Sequence, residues 1–211
     1  MEPHGGQPVE TVGPPLGEAP AVMILVHGRG GSARGILELA THLAHPSFTY
    51  LAPQAAGHTW YPFSFMAQTE DNEPGISSGL DVLKGLVERV VDAGIGREKI
   101  VLAGFSQGAC LSSEFAVRHA ARFGGVLAFS GGLIGPPGTT WPYDGSFEGM
   151  PAFFGCSDVD AHVPKERVDE SAEVFEAMGA AVEKRIYPGM PHTIIEDELV
   201  YARTIVEAVG G

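Results

Sequence analysis

The 211-residue sequence predicts an α/β fold: a mostly parallel, doubly wound sheet with helices on both of its faces. Three observations carry that expectation. Short, uninterrupted apolar runs such as 21–26 and 100–103 have the length and composition of strands buried on both faces. Between such runs lie segments whose apolar residues recur at helical spacing. At one junction, Gly104-Phe105-Ser106-Gln107-Gly108 joins an apolar run to small residues able to start a helix, which is the layout of a tight strand-to-helix turn.

Taken in order, residues 1–20 are rich in Pro and Gly and predict an arm on the domain edge, with 9–12 as a short strand. A single domain is expected over 21–211, a length sufficient for one core. The run 21–26 predicts the first buried strand and ends in His27-Gly28-Arg29-Gly30-Gly31. Ser32 is placed to cap a helix whose apolar positions are Ile36, Leu37, Leu39, Ala40 and Leu43. Residues 48–53 predict the next strand, followed by a long polar and aromatic loop over 54–74; loops of that length in compact domains tend to carry function. Ile76, Leu80, Leu83, Leu86, Val87, Val90 and Val91 define an amphipathic helix closed by Gly94. After the serine turn and its helix come a strand at 124–130, a second irregular loop at 131–149, and a strand at 151–155. A helix over 165–178, a strand over 182–187 and a helix over 194–209 complete the chain.

Composition narrows the functions available. A formal net charge of −13 disfavours nucleic acid and anionic membranes as partners. No apolar window is long enough to span a membrane and the N-terminus lacks the layout of a signal peptide, so a cytoplasmic location is expected. Cys110 and Cys156 sit in apolar surroundings and are expected to be small buried hydrophobes. Gly28-Arg29-Gly30-Gly31 does not match a dinucleotide-binding turn, and the histidines and aspartates show no zinc spacing, so no cofactor and no metal are expected.

The chemistry indicated is nucleophilic. In a parallel sheet the ligand crevice lies beyond the carboxyl ends of the strands, where His27, Ser106, the segment 156–164 and His192 all fall. A serine needs a base within hydrogen-bond reach and a carboxylate to orient that base. His192, in the turn-rich stretch Tyr187-Pro188-Gly189-Met190-Pro191-His192, is the candidate base. His4, His42, His45 and His119 are expected on the surface. The acid lies in Gly155-Cys156-Ser157-Asp158-Val159-Asp160-Ala161-His162-Val163-Pro164, where Asp158 and Asp160 both qualify.

These segments resemble the phospholipase/carboxylesterase family of α/β hydrolases, which includes acyl-protein thioesterases and small bacterial carboxylesterases. The resemblance rests on His27-Gly28, Gly104-Phe105-Ser106-Gln107-Gly108-Ala109, Asp160-x-x-Val163-Pro164 and Tyr187-Pro188-Gly189-x-x-His192, and runs from Val22 onward. It implies an α/β-hydrolase fold without a separate cap domain. In that family the acid precedes Val-Pro by two residues, which points to Asp160, but it also closely follows a strand-end glycine, which points to Asp158. The Val-Pro anchor runs without a gap to His192 and favours Asp160.

The resemblance also supports the backbone N–H groups of Gln107 and Arg29 as oxyanion donors. Arg29 replaces an apolar residue common there; its side chain is expected either to recognise an anionic or polar acyl group or to face solvent and lend only its backbone. Substrate contacts are expected from the two long loops, with Trp60, Phe65 and Leu133, and His27 at the crevice edge, as candidates. The expected activity is carboxylic ester hydrolysis on small to medium acyl chains through an acyl-enzyme. Thioester or lysophospholipid hydrolysis by the same residues is the alternative within the class, and a non-catalytic ligand-binding protein the alternative outside it. The expected partner is a small-molecule ester, with a homodimer compatible with the exposed aromatic loops.

Overall fold

In the computed structural model, which describes residues 3–211, seven strands form one sheet: β1 (Val9–Val12), β2 (Ala21–Val26), β3 (Phe48–Pro53), β4 (Ile100–Phe105), β5 (Gly125–Phe129), β6 (Pro151–Ser157) and β7 (Ala181–Tyr187). Their order is β1-β3-β2-β4-β5-β6-β7, and every neighbouring pair is parallel except the antiparallel β1–β3 edge. This is the mostly parallel, doubly wound sheet that the apolar runs predict, in the arrangement that the resemblance to α/β hydrolases implies.

The continuous apolar runs are explained by burial on both faces. Along β2, Val22, Ile24 and Val26 join one core while Ala21, Met23 and Leu25 join the other. Strand β4 divides the same way, Ile100 and Leu102 against Val101 and Ala103. The first core is closed by α3 (Gly75–Asp92), α4 (Gln107–Arg118) and α5 (Lys165–Ala177). The second is closed by α1 (Ala33–Ile36), α2 (Leu39–His42) and α6 (Glu196–Gly210). Among the described residues no helix is long and apolar enough to cross a membrane.

Two local expectations change. The helix expected after Ser32 is two four-residue helices, joined by a tightened turn with Glu38 N–H bonded to Gly35 O and Ala40 N–H to Leu37 O. Ser32 does cap the first of them, accepting from Gly35 N–H at 3.1 Å. His4 is buried rather than exposed. Its Nδ1 accepts from Ala56 N–H and its Nε2 donates to Trp60 O at 2.8 Å, so the arm braces the first long loop from beneath. Burial, opposed by its hydrogen bonds to backbone, lowers the pKa of this imidazole.

The glycines of the serine turn are fixed by close approach. A Cβ on Gly108 would overlap Val26 O, and one on Gly104 would overlap the Gly108 carbonyl. Gly108→Ala is therefore expected to separate α4 from β2 at a cost of about 3 kcal/mol or more, visible as a large drop in the denaturation midpoint. A near-normal midpoint would mean that the contact is softer than its geometry indicates.

Candidate active site

Strand β4 and helix α4 meet at Ser106, whose backbone is held at φ 54°, ψ −120°. That is a costly conformation for a residue with a side chain, and it persists because Ser106 N–H is bonded to Phe129 O at 2.9 Å and the two turn glycines let the elements touch. The hydroxyl is thereby lifted off the strand end. Its Oγ lies 2.8 Å from His192 Nε2, across 86 residues of sequence.

The other imidazole nitrogen, His192 Nδ1, is 2.6 Å from Asp160 Oδ2. The second carboxylate oxygen, Oδ1, accepts from His162 N–H at 2.8 Å and Val163 N–H at 3.0 Å. Burial opposes ionisation of Asp160, but the hydrogen bonds from His192 and the two backbone amides outweigh it and hold the carboxyl below its ordinary value. An ionised Asp160 places the imidazole proton on Nδ1, leaving Nε2 free to accept from Ser106.

Asp158, the competing acid, is exposed and accepts from Gly189 N–H at 2.7 Å. It fixes the turn that carries His192, and among the described residues it makes no hydrogen bond to the imidazole. The segment after β6 therefore uses its two aspartates differently, one on the ring and one on the backbone that presents the ring. The far end of the same loop is anchored at α6, where Glu198 Oε2 accepts from Ile195 N–H at 2.9 Å.

Glu198 is buried, and its Oε1 has no hydrogen-bond partner among the described residues. Desolvation pushes its pKa up to about 7 from 4.5. Because the folded value lies above the unfolded one, this group's contribution to stability is fully present below pH 4.5 and is lost as pH rises through 7. Glu198→Gln, which mimics the protonated form, is expected to gain on the order of 3 kcal/mol relative to wild type between pH 4.5 and 8. Denaturant titrations of both proteins at the two pH values measure that difference; parallel pH dependence would mean that Glu198 ionises normally.

Beside Ser106 opens a cavity of about 640 Å³. Its near wall is the elbow, with Phe105, Gln107 and Cys110, and its far wall is the first long loop from Tyr61 to Phe65. Gly28, Arg29 and Gly31 close one side, and His162, Val163 and His192 the other. Phe65 thus sits where a substrate contact was expected. Trp60, His27 and Leu133 do not: all three are buried in the core behind the wall.

Each has a structural task that explains its place. Trp60 Nε1–H donates to His27 O at 3.0 Å. His27 Nε2 accepts from Ala55 N–H, so its Nδ1 carries the proton and donates to Gly28 O at 2.8 Å, shaping the backbone just before Arg29. Leu133 belongs to the second loop, which forms none of the cavity wall and instead braces Phe65 from outside. There Arg167 donates to Leu133 O and Gly135 O, and its guanidinium stacks 5.8 Å from the Phe65 ring and 4.9 Å from that of Trp141.

Gln107 and Arg29 line the same cavity as Ser106. Gln107 opens α4, so its N–H is one of the unsatisfied donors of that helix end, and Arg29 N–H has no acceptor among the described residues. Their side chains do something the sequence did not reveal. Gln107 Oε1 accepts from Trp60 N–H at 2.8 Å while its Nε2 donates to Tyr61 O at 2.8 Å. Arg29 Nη1 donates to Pro62 O at 2.7 Å and Thr59 Oγ1 at 3.1 Å, and Nη2 donates to Phe63 O. The two residues that offer the free N–H groups also staple the loop facing them.

His162 and Cys110 complete the wall without having been singled out as site residues. The His162 ring stands edge-on to His192 at 4.9 Å; its position two residues after Asp160 was the available signal. Cys110, one turn into α4, is buried against Tyr61, and burial pushes its thiol up to about 12. Both cysteines are free and buried, as their apolar surroundings predicted.

Comparison with known proteins places the chain in a family. A chain from Dyadobacter fermentans described as a phospholipase/carboxylesterase superimposes with a TM-score of 0.93 at 40% identity, covering 98% of this chain and 99% of that one. Acyl-protein thioesterase 1 of Saccharomyces cerevisiae is 29% identical over 203 residues, 84% of this chain and 87% of the relative. Acyl-protein thioesterase 1 of Gibberella zeae is 32% identical over 137 residues, which span 64% of this chain and 57% of the relative. The phospholipase/carboxylesterase family profile matches residues 8–209, nearly the whole sequence. The chain belongs to the phospholipase/carboxylesterase family and is a hydrolase of that family.

Proposed function

We propose that the protein is a serine carboxylesterase that hydrolyses esters of small to medium acyl chains through an acyl-enzyme. The observation that carries the reading is the continuous hydrogen-bonded chain Asp160–His192–Ser106, opening onto a cavity beside two backbone N–H groups without acceptors. Ser106 Oγ attacks the substrate carbonyl carbon as its proton passes to His192 Nε2, with Asp160 stabilising the imidazolium through Nδ1–H. The negative charge formed on the carbonyl oxygen falls to Arg29 N–H and Gln107 N–H. His192 then returns the proton to the departing alcohol oxygen. Water, deprotonated by His192, attacks the acyl-Ser106 ester, and the acid leaves as Ser106 regains its proton.

The cavity walls favour the shorter acyl chains. Below Ser106 the space meets Cys110 and Tyr61, both buried, with Phe65 held from behind by Arg167. A thioester is the second reading, because the fungal relatives are named acyl-protein thioesterases and the same residues serve a thiolate leaving group. A fluorophosphonate label, mapped by mass spectrometry, tests the enzymatic reading, with the adduct expected on Ser106. Absence of an adduct on folded protein would favour a non-catalytic binding protein. A series of p-nitrophenyl esters and matched acyl thioesters then ranks leaving group and chain length, with kcat/KM expected to peak at short acyl chains on oxygen esters.

A further inference from the structure

We infer that the preferred substrate carries a second, ionised carboxylate, bound by the Arg29 guanidinium at the rim of the cavity; the inference rests on the hydrolase reading above and specifies its substrate class. The cavity wall contains no Asp or Glu, and Arg29 is its one permanently charged side chain among the described residues. In a protein of formal net charge −13 this places one exposed cation on the cavity wall, while the ionised Asp160 lies buried behind His192 and does not face the cavity.

The partners of Arg29 are all neutral: the Thr59 hydroxyl and the carbonyls of Pro62 and Phe63. They take three of its five N–H donors, leaving Nε–H and one Nη2–H without an acceptor among the described residues. The residue is exposed, so the charge is accessible, while three anchors fix the plane of the fork. An anchored guanidinium loses little freedom on gripping a carboxylate, and a planar fork suits that ligand better than a lysine ammonium would. If loop stapling were the whole task, a neutral donor would serve, as the Gln107 amide does on the neighbouring carbonyl. Since the proposed mechanism also gives the Arg29 N–H to the reacting oxygen and Arg29 lines the cavity with Ser106, the carboxylate lies a short chain away from the scissile carbonyl, as in the half-ester of a small dicarboxylic acid.

Two pairs of esters matched for size test this: p-nitrophenyl hydrogen glutarate against p-nitrophenyl valerate, with the charge on the acyl side, and 4-acetoxybenzoate against p-tolyl acetate, with the charge on the alcohol side. Arg29→Gln is expected to lower the anionic-to-neutral ratio of kcat/KM roughly tenfold or more in at least one pair, with Arg29→Lys intermediate. The ratio cancels any general damage from loosening the loop. A ratio unchanged within about twofold in both pairs would overturn the proposal. Calorimetric titration of wild type with glutarate and with glutaramide supplies a readout independent of turnover. Tighter binding of glutarate, abolished by Arg29→Gln, is expected; equal binding of the two counts against a carboxylate site even if neither ester is hydrolysed, an outcome that would separately sink the esterase reading.

Discussion

Ser106→Ala is expected to lower kcat by about four orders of magnitude or more and to abolish fluorophosphonate labelling, while the protein still folds. The loss is that large because, among the described residues, the Ser106 hydroxyl is the one group hydrogen-bonded to His192 Nε2, at 2.8 Å. Of the other hydroxyl and thiol groups on the cavity wall, Ser64 lies on the first loop with its Oγ accepting from Met66 N–H and no hydrogen bond to His192 among the described residues, and Cys110 is a buried thiol pushed up to about 12 that stays protonated. Ser106→Gly separates chemistry from stability. Glycine adopts φ 54°, ψ −120° without a Cβ clash, so this variant is expected to be equally inactive yet more stable than wild type by about 1 kcal/mol. Steady-state rates and chemical denaturation measure the two effects. More than a few per cent residual activity in both variants would remove Ser106 from the mechanism.

The second large effect distinguishes the two aspartates. Asp160→Asn is expected to reduce kcat by roughly 10³- to 10⁴-fold with a modest change in KM, whereas Asp158→Asn is expected to cost less than about tenfold. An amide at position 160 can present its NH₂ to His192 Nδ1, which moves the ring proton to Nε2 and points a donor at Ser106 where an acceptor is needed. An amide at position 158 can still accept from Gly189 N–H through its oxygen, so the turn carrying His192 survives. The reverse ranking of the two variants would reassign the acid.

The fold and most of the reacting groups were legible in the sequence because they depend on local constraints. Strands buried on both faces read as continuous apolar runs, and β2, β4 and β5 appear where those runs do. The serine turn is legible because both of its glycines are dictated by backbone contact, which excludes every other residue. His192 follows from its place after the last strand and from the resemblance, whose Val163-Pro164 anchor also favours Asp160. Spacing alone left Asp158 and Asp160 as alternatives, since residues two apart share a loop without sharing a direction; the hydrogen bonds to Gly189 and to His192 distinguish them.

What the sequence by itself determined is the sheet, the order of nucleophile, acid and base, and the end of the sheet on which they meet. Only the tertiary structure decided which aromatic residues face the cavity. Within the first loop, Trp60 and Phe65 are equally apolar, yet Trp60 turns inward because His27 O offers its indole N–H an acceptor and Gln107 holds its backbone, while Phe65 is pressed onto the wall by Arg167 from a helix a hundred residues away. The second loop, which also carries aromatics, is drawn away from the cavity by Arg167 and by Glu114, which accepts from Ile134 N–H and the Tyr143 hydroxyl. These outcomes depend on pairing buried polar groups across distant segments, and such pairings leave no periodicity in the chain to read.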